Sequence, residues 1–100
     1  MFGTVALMKP KAGQEQALIG MLEKWWAERR PGIKGAIAST IHRNDSNPAE
    51  LIMTVVFDSE ANYRTNASDP DQDRWYQELR ALLDSDPRWM DGEVLACKHV

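Results

Sequence analysis

Apolar residues recur at alternate positions, or in short unbroken runs, in four segments of the chain, and this pattern indicates β-strands. The four segments are 2–8, 33–43, 51–57 and 92–100. Segment 33–43 has large side chains on one face and small ones on the other, and the turn sequence Asn44–Pro48 follows it. Together with segment 51–57 it therefore predicts an antiparallel hairpin. Segment 51–57 is apolar on both faces, which is typical of a buried central strand.

In the segments between these strands, apolar residues instead recur about every 3.6 residues, which predicts helices. Leu18, Leu22 and Trp25 lie on one face of the first helix. Asp69 can cap the last helix, and Pro70 suits its first position. The predicted helices span 14–29, about 59–66 and 70–83, and residues 88–91 are expected to form a connector.

The order of these elements, β-α-β-β-α-β, predicts an α+β fold of the ferredoxin-like type, with one domain over residues 1–100. Right-handed crossovers place both main helices on one face of a four-stranded antiparallel sheet. Ile52 and Val56 point to the other face, and the small side chains of 33–43 suit close approach by a second sheet. Soluble monomers rarely leave such an apolar surface in water. We therefore expect a homodimer that pairs through this face.

Charge and composition narrow the range of partners. The chain has 12 Lys and Arg against 15 Asp and Glu, and its one adjacent basic pair is Arg29-Arg30. Nucleic acid and membrane surfaces are therefore not expected partners. The first residues do not resemble a signal peptide, and no apolar run approaches the roughly 20 residues of a membrane span, so we expect a cytoplasmic protein. Cys97 has no second cysteine to pair with, and we expect a buried strand thiol rather than a nucleophile.

Common metal and catalytic motifs are missing from the sequence. Asp69–Asp73 begins like a calcium loop, but Arg74 and Arg80 occupy the places where that loop needs Gly and Glu. These acidic residues suit a helix N-terminus instead. His42 and His99 both lie on predicted strands, where each is either a structural histidine or a base or ligand. The sequence has no GxGxxG, P-loop, HExxH, GxSxG or CxxC motif.

Four short stretches of the sequence are similar to a known family. They are Lys9–Glu15 before the first helix, Pro31-Gly32 with Gly35 before the second strand, Phe57–Tyr63, and Ala67–Pro70. In these stretches the chain resembles the antibiotic-biosynthesis-monooxygenase-like (ABM) domains of the dimeric α/β-barrel superfamily. The likeness spans nearly the whole chain, and it implies that two ferredoxin-like sheets pair into a dimeric barrel.

The resemblance also implies a pocket between the helices and the sheet of each subunit. Some members of the family oxidise quinol-type aromatic compounds there without metal or flavin, using an Asn and a Trp on the third strand and a Tyr in the next helix. This chain has Met53 and Phe57 on that strand and Tyr63 in the helix, so only the Tyr matches. The resemblance therefore implies no cofactor, a catalytic role for Tyr63, and substrate binding by Trp25, Met53, Phe57 and Trp75.

Two interpretations of these residues remain open at the sequence level. The tryptophans either pack the core and dimer or stack on a flat ligand. The Tyr63 hydroxyl either assists a substrate or lies in water. The chain is accordingly either a cofactor-independent monooxygenase acting on an aromatic compound or a non-catalytic dimeric ligand-binding or interaction module. An open pocket with Tyr63 at its wall would favour the enzyme, and a pocket filled by its own side chains would favour the interaction module.

Overall fold

The computed structural model describes residues 1–98 and contains four strands and three α-helices. A π-helical turn at Trp25–Arg29 and a 3-10 turn at Arg30–Gly32 continue the first helix. In chain order the elements are β1 (Phe2–Met8), α1 (Glu15–Lys24), β2 (Ala36–Arg43), β3 (Leu51–Phe57), α2 (Glu60–Ala67), α3 (Pro70–Arg80) and β4 (Arg88–Glu93).

The strands form one sheet in the order β2-β3-β1-β4, and every neighbouring pair is antiparallel. β1 and β3 lie at its centre in a register that pairs Phe2 with Phe57 and Met8 with Leu51. The hairpin and the α+β, ferredoxin-like arrangement predicted from the sequence are confirmed. The bounds of β3 and the start of α3 at Pro70 also agree with the prediction.

The core lies between the helices and one face of the sheet. Met8 and Met53 of the central strands pack there with Leu18 of α1 and Leu79 of α3, and all four are at most 6% exposed. Alternate residues of the same strands point to the other face. This outer face consists of half-buried Val5, Leu7, Ile52, Thr54 and Val56, with exposed Met90 beside them.

The last strand was placed wrongly from the sequence. β4 begins at Arg88, in the segment expected to be a connector, and residues 94–98 of the predicted strand 92–100 are not in a strand. All six residues of β4 are exposed, so this edge strand carries no apolar pattern and is recognised only by its backbone pairing with β1. Cys97, expected to be a buried strand thiol, is exposed. His99 lies outside the described residues.

Two other boundaries differ from the prediction for local reasons. Segment 33–43 becomes a strand only at Ala36, because Gly35 adopts a φ of +87° that turns the chain beside the start of α2. α3 ends at Arg80 rather than at residue 83. Leu83 is nevertheless fully buried, because the chain turns back there and forms an isolated β-bridge to Pro10.

The predicted helix 14–29 changes its winding within its length. It is α-helical to Lys24 and π-helical from Trp25 to Arg29. Single π-turns of this kind occur often at functional sites. Within this turn Trp25 is buried, with 7% of its surface exposed. The neighbouring Trp26 is half-buried and makes a cation–π contact with Arg30.

Candidate functional site

An open pocket of about 320 Å³ lies between the helices and the inner face of the sheet. Its volume falls at the lower end of the range for small-molecule sites, about 300–1,000 Å³. The five site residues expected from the sequence all line it, namely Trp25, Met53, Phe57, Tyr63 and Trp75. The remaining wall is Thr4, Leu22, Ser39, Val55, Asn66, Ala67, Gln72, Asp73, Tyr76 and Trp89.

Aromatic rings form much of the pocket wall. Trp25 and Trp75 lie with ring centroids 6.1 Å apart, and Tyr76 and Trp89 lie 6.2 Å apart. The indole Nε1 of Trp25 donates a hydrogen bond of 2.9 Å to Gln72 Oε1, which fixes the ring. Aromatic pairs in such tilted arrangements are stabilising beyond the area they bury. The pocket therefore offers fixed flat surfaces that suit a planar ligand.

Tyr63 is held in one orientation by its ring and by its hydroxyl. The ring packs edge-on against Phe57, with centroids 5.6 Å apart, and lies 5.1 Å from Phe2. The hydroxyl donates a 3.0 Å hydrogen bond to Asp91 Oδ1 on β4. Arg64 Nη1 lies 3.5 Å from the other oxygen of the Asp91 carboxylate. Tyr63 thus connects the pocket to an exposed carboxylate.

The pKa of Tyr63 is raised above its ordinary value. Burial of the phenol is the largest cause, and the hydrogen bond to Asp91 and the charge of Asp91 act in the same direction. Thr4 and Arg64 oppose the shift. Tyr63 is therefore a protonated phenol at neutral pH. Because its proton already bonds to Asp91, its oxygen can accept a further hydrogen bond from a ligand.

We expect the described tyrosines to ionise at higher pH in the native protein than in the unfolded chain. The pKa of Tyr76 is also raised, chiefly by burial. The unfolded chain loses its phenolic protons near pH 10. The native state keeps them longer, so this stabilisation is complete below about pH 10 and is lost as the pH rises through the native pKa values.

Absorbance of tyrosinate during alkaline titration measures this difference. In a Tyr76→Phe background the signal comes from Tyr63 alone, because the chain has two tyrosines. Asp91→Asn in that background should lower the pKa of Tyr63, because it removes the carboxylate that opposes ionisation. Superimposable curves with and without Asp91→Asn would show that this carboxylate does not act on Tyr63.

Several pocket residues were missed at the sequence level. Thr4 lies in the predicted strand 2–8 and Trp89 in the predicted connector 88–91, and neither is predicted to reach the pocket. Asn66 and Gln72 carry no local motif, and only the packing of α2 and α3 over the sheet brings them to the pocket. Tyr76 follows Trp75 directly, and its ring reaches the wall beside Trp89.

The residues that the structure describes contain no cluster of side chains that could form a metal site. Within residues 1–98, no group of three or more His, Cys, Asp or Glu could hold a metal ion. His42 lies on β2, as expected, and is exposed on the outer face of the sheet. None of the helices in this part of the chain is both long and apolar enough to span a membrane.

A four-stranded ferredoxin-like sheet with a ligand-sized pocket under its helices is thus the class of structure that this chain forms. Its fold is that of the ABM-like domains. A variant of SnoaB, a cofactor-independent oxygenase from Streptomyces nogalater, superposes with a TM-score of 0.80 at 12% identity, over 96% of this chain and 94% of that one.

Two further solved structures show the same fold. A candidate antibiotic biosynthesis monooxygenase from Chloroflexus aurantiacus superposes with a TM-score of 0.77 at 18% identity, over 98% of this chain and 96% of that one. A protein of unknown function from Nitrosomonas europaea gives 0.77 at 21% identity, over 99% and 93%. No protein-family model and no curated protein matches the chain. At these identities the likeness establishes the fold and leaves the activity to be argued from the site.

Proposed function

We propose that this protein binds an electron-rich aromatic compound in the pocket and oxidises it with dioxygen, without a metal or organic cofactor. The observation that carries the proposal is the open pocket itself, with aromatic walls and the Tyr63 hydroxyl on one side. A site filled by its own side chains would have favoured an interaction module. The fold shared with SnoaB, a cofactor-independent oxygenase, supports the same reaction class.

The proposed reaction converts a phenol to a quinone. One atom of dioxygen bonds to a ring carbon and becomes the new carbonyl oxygen. The other leaves as water, with the phenolic proton and the hydrogen of that carbon. The substrate gives up four electrons and dioxygen accepts them, so the reaction needs no further reductant or oxidant.

In this scheme the protein supplies orientation, exclusion of water and a path for one proton. The Tyr63 oxygen accepts the phenolic proton while the Tyr63 hydroxyl proton moves to Asp91, 3.0 Å away. The resulting phenolate is the electron-rich species that reacts with dioxygen. Asp91 is exposed and exchanges the proton with solvent, from which the departing water is completed.

A non-catalytic ligand-binding or interaction module is the second candidate. Met53 and Phe57 favour it, because they occupy β3 where the oxygenases of the resembled family have an Asn and a Trp. Such a module would bind planar aromatic compounds through the same tryptophans. It would release these compounds chemically unchanged.

Oxygen uptake with a panel of polycyclic phenols and hydroquinones tests the proposal. We expect uptake above the uncatalysed rate for at least one compound, in the presence of a chelator and with no added flavin. With isotopically labelled dioxygen, the product should carry one labelled oxygen atom. Tight binding without uptake across the panel would refute the oxygenase and leave the ligand-binding module.

We further propose that the single domain works as a cytoplasmic homodimer paired through the outer face of the sheet. In one chain this face leaves Val5, Leu7, Ile52 and Val56 without a covering layer, whereas the helices cover the opposite face. Burying apolar surface of this kind is the usual driving force of association.

A further inference from the structure

Two pocket-lining residues each carry a buried polar atom that forms no well-aligned hydrogen bond within residues 1–98. The atoms are Oγ1 of Thr4, a residue only 6% exposed, and Oδ1 of Asn66. Buried polar atoms without a partner are rare in folded proteins, because each has lost its hydrogen bonds to water without replacement.

Both residues lie beside Tyr63. The Thr4 hydroxyl is close enough to the Tyr63 oxygen to lower the pKa of Tyr63, but the two groups do not form a well-aligned hydrogen bond. Thr4 is on β1 directly opposite Asp91 of β4, the carboxylate that accepts the Tyr63 proton. Asn66 follows Tyr63 by three residues on α2, a spacing that places both side chains on the same helix face. The region of the wall formed by Thr4, Tyr63 and Asn66 is named the acceptor wall below.

The acceptor wall presents hydrogen-bond acceptors to a ligand. Asn66 Oδ1 can only accept a hydrogen bond, and the Tyr63 proton is already given to Asp91. The Thr4 hydroxyl can accept one while it donates elsewhere. This wall therefore offers a ligand hydrogen-bond acceptors rather than donors. The hydroxyl group of an aromatic ligand would supply one donor to it in the bound complex, before the proton is transferred to Tyr63. An ether or a hydrocarbon of similar shape would leave the same atoms unsatisfied.

We infer that Thr4 and Asn66 are specificity-determining residues that select a hydroxyl-bearing aromatic ligand over its ether or hydrocarbon analogue. The inference rests on the proposed binding of aromatic compounds in this pocket and adds which ligand group is recognised and by which atoms. Gln72, on another part of the wall, does not share this role, because its Oε1 already accepts from Trp25 and Arg29.

Calorimetric titration of the full chain with a naphthol and with its methyl ether tests the inference without relying on a variant. In the ether a methyl group replaces the hydroxyl proton, so the ether cannot donate this hydrogen bond. We expect the naphthol to bind about tenfold more tightly, the effect of one hydrogen bond to a buried, otherwise unsatisfied acceptor. Equal affinities would overturn the inference and leave the proposed function standing. Binding of neither compound would overturn both.

Variants then assign the preference to the residues. Thr4→Val keeps the shape of the side chain and should reduce the tenfold preference to about threefold or less, whereas Thr4→Ser should restore it. Asn66→Leu should also reduce it. Thr65→Val removes a hydroxyl from an exposed position on α2 and serves as the matched control, with the preference unchanged. A preference that survives in both Thr4→Val and Asn66→Leu would overturn the assignment.

Discussion

Tyr63→Phe is expected to lower kcat for oxygen uptake at least about a hundredfold, the lower end of what a positioned proton-transfer group contributes. The substitution removes one oxygen atom and leaves the ring, which packs against Phe57 and Phe2. The pocket should therefore keep its shape, and KM should change by only a few-fold. A loss of kcat with little change of KM is the signature of an interaction made in the transition state.

Tyr76→Phe is the matched control for this experiment. Tyr76 is the other tyrosine of the chain, and it also lines the pocket, but its hydroxyl has no carboxylate partner among the hydrogen bonds of the described residues. We expect its kcat to stay within about threefold of the unmodified protein, because no proton-transfer role falls to it. Asp91→Asn should behave like Tyr63→Phe, since the Tyr63 proton then loses its acceptor. Equal rates for Tyr63→Phe and Tyr76→Phe would remove Tyr63 from the mechanism.

Four of the five expected pocket residues lie on elements with clear apolar periodicity, whereas the pocket itself and the role of Tyr63 were implied by the family resemblance. Met53 and Phe57 alternate inward on β3, and Trp25 and Trp75 belong to the apolar faces of their helices. Their elements could be assigned to the inner face of the sheet before any coordinates were known. The residues that give the site its polarity obey no such pattern.

Asp91 illustrates why the rest of the site could not be predicted. It is an exposed acid in a strand with no apolar residue buried, and its role follows only from the register that places it beside Thr4. The same lack of burial caused β4 to be placed too late, at the apolar run that contains Cys97. Periodicity reports which residues are buried, whereas edge strands are held by backbone hydrogen bonds that every sequence can form.

If the dimer pairs through the outer face of the sheet, a charged substitution on that face should have a large effect on the oligomeric state. Val5 lies on β1 near the middle of the outer face, paired with Thr54 of β3 and Met90 of β4. Val5→Glu places a carboxylate there. In a symmetric dimer the same substitution occurs twice across one interface, so two like charges lose water together and repel each other.

We therefore expect light scattering at micromolar concentration to give the mass of two chains for the unmodified protein and of one chain for Val5→Glu. In the monomer the new carboxylate faces water, so the domain should remain folded and keep its far-ultraviolet circular dichroism. Gln77→Glu adds the same charge at an exposed position on α3 and should stay dimeric. A single-chain mass for the unmodified protein would refute the dimer. An unchanged two-chain mass for Val5→Glu would move the interface away from the outer face. The pocket lies on the opposite, helix-covered face of the sheet, so monomeric Val5→Glu should still bind a naphthol.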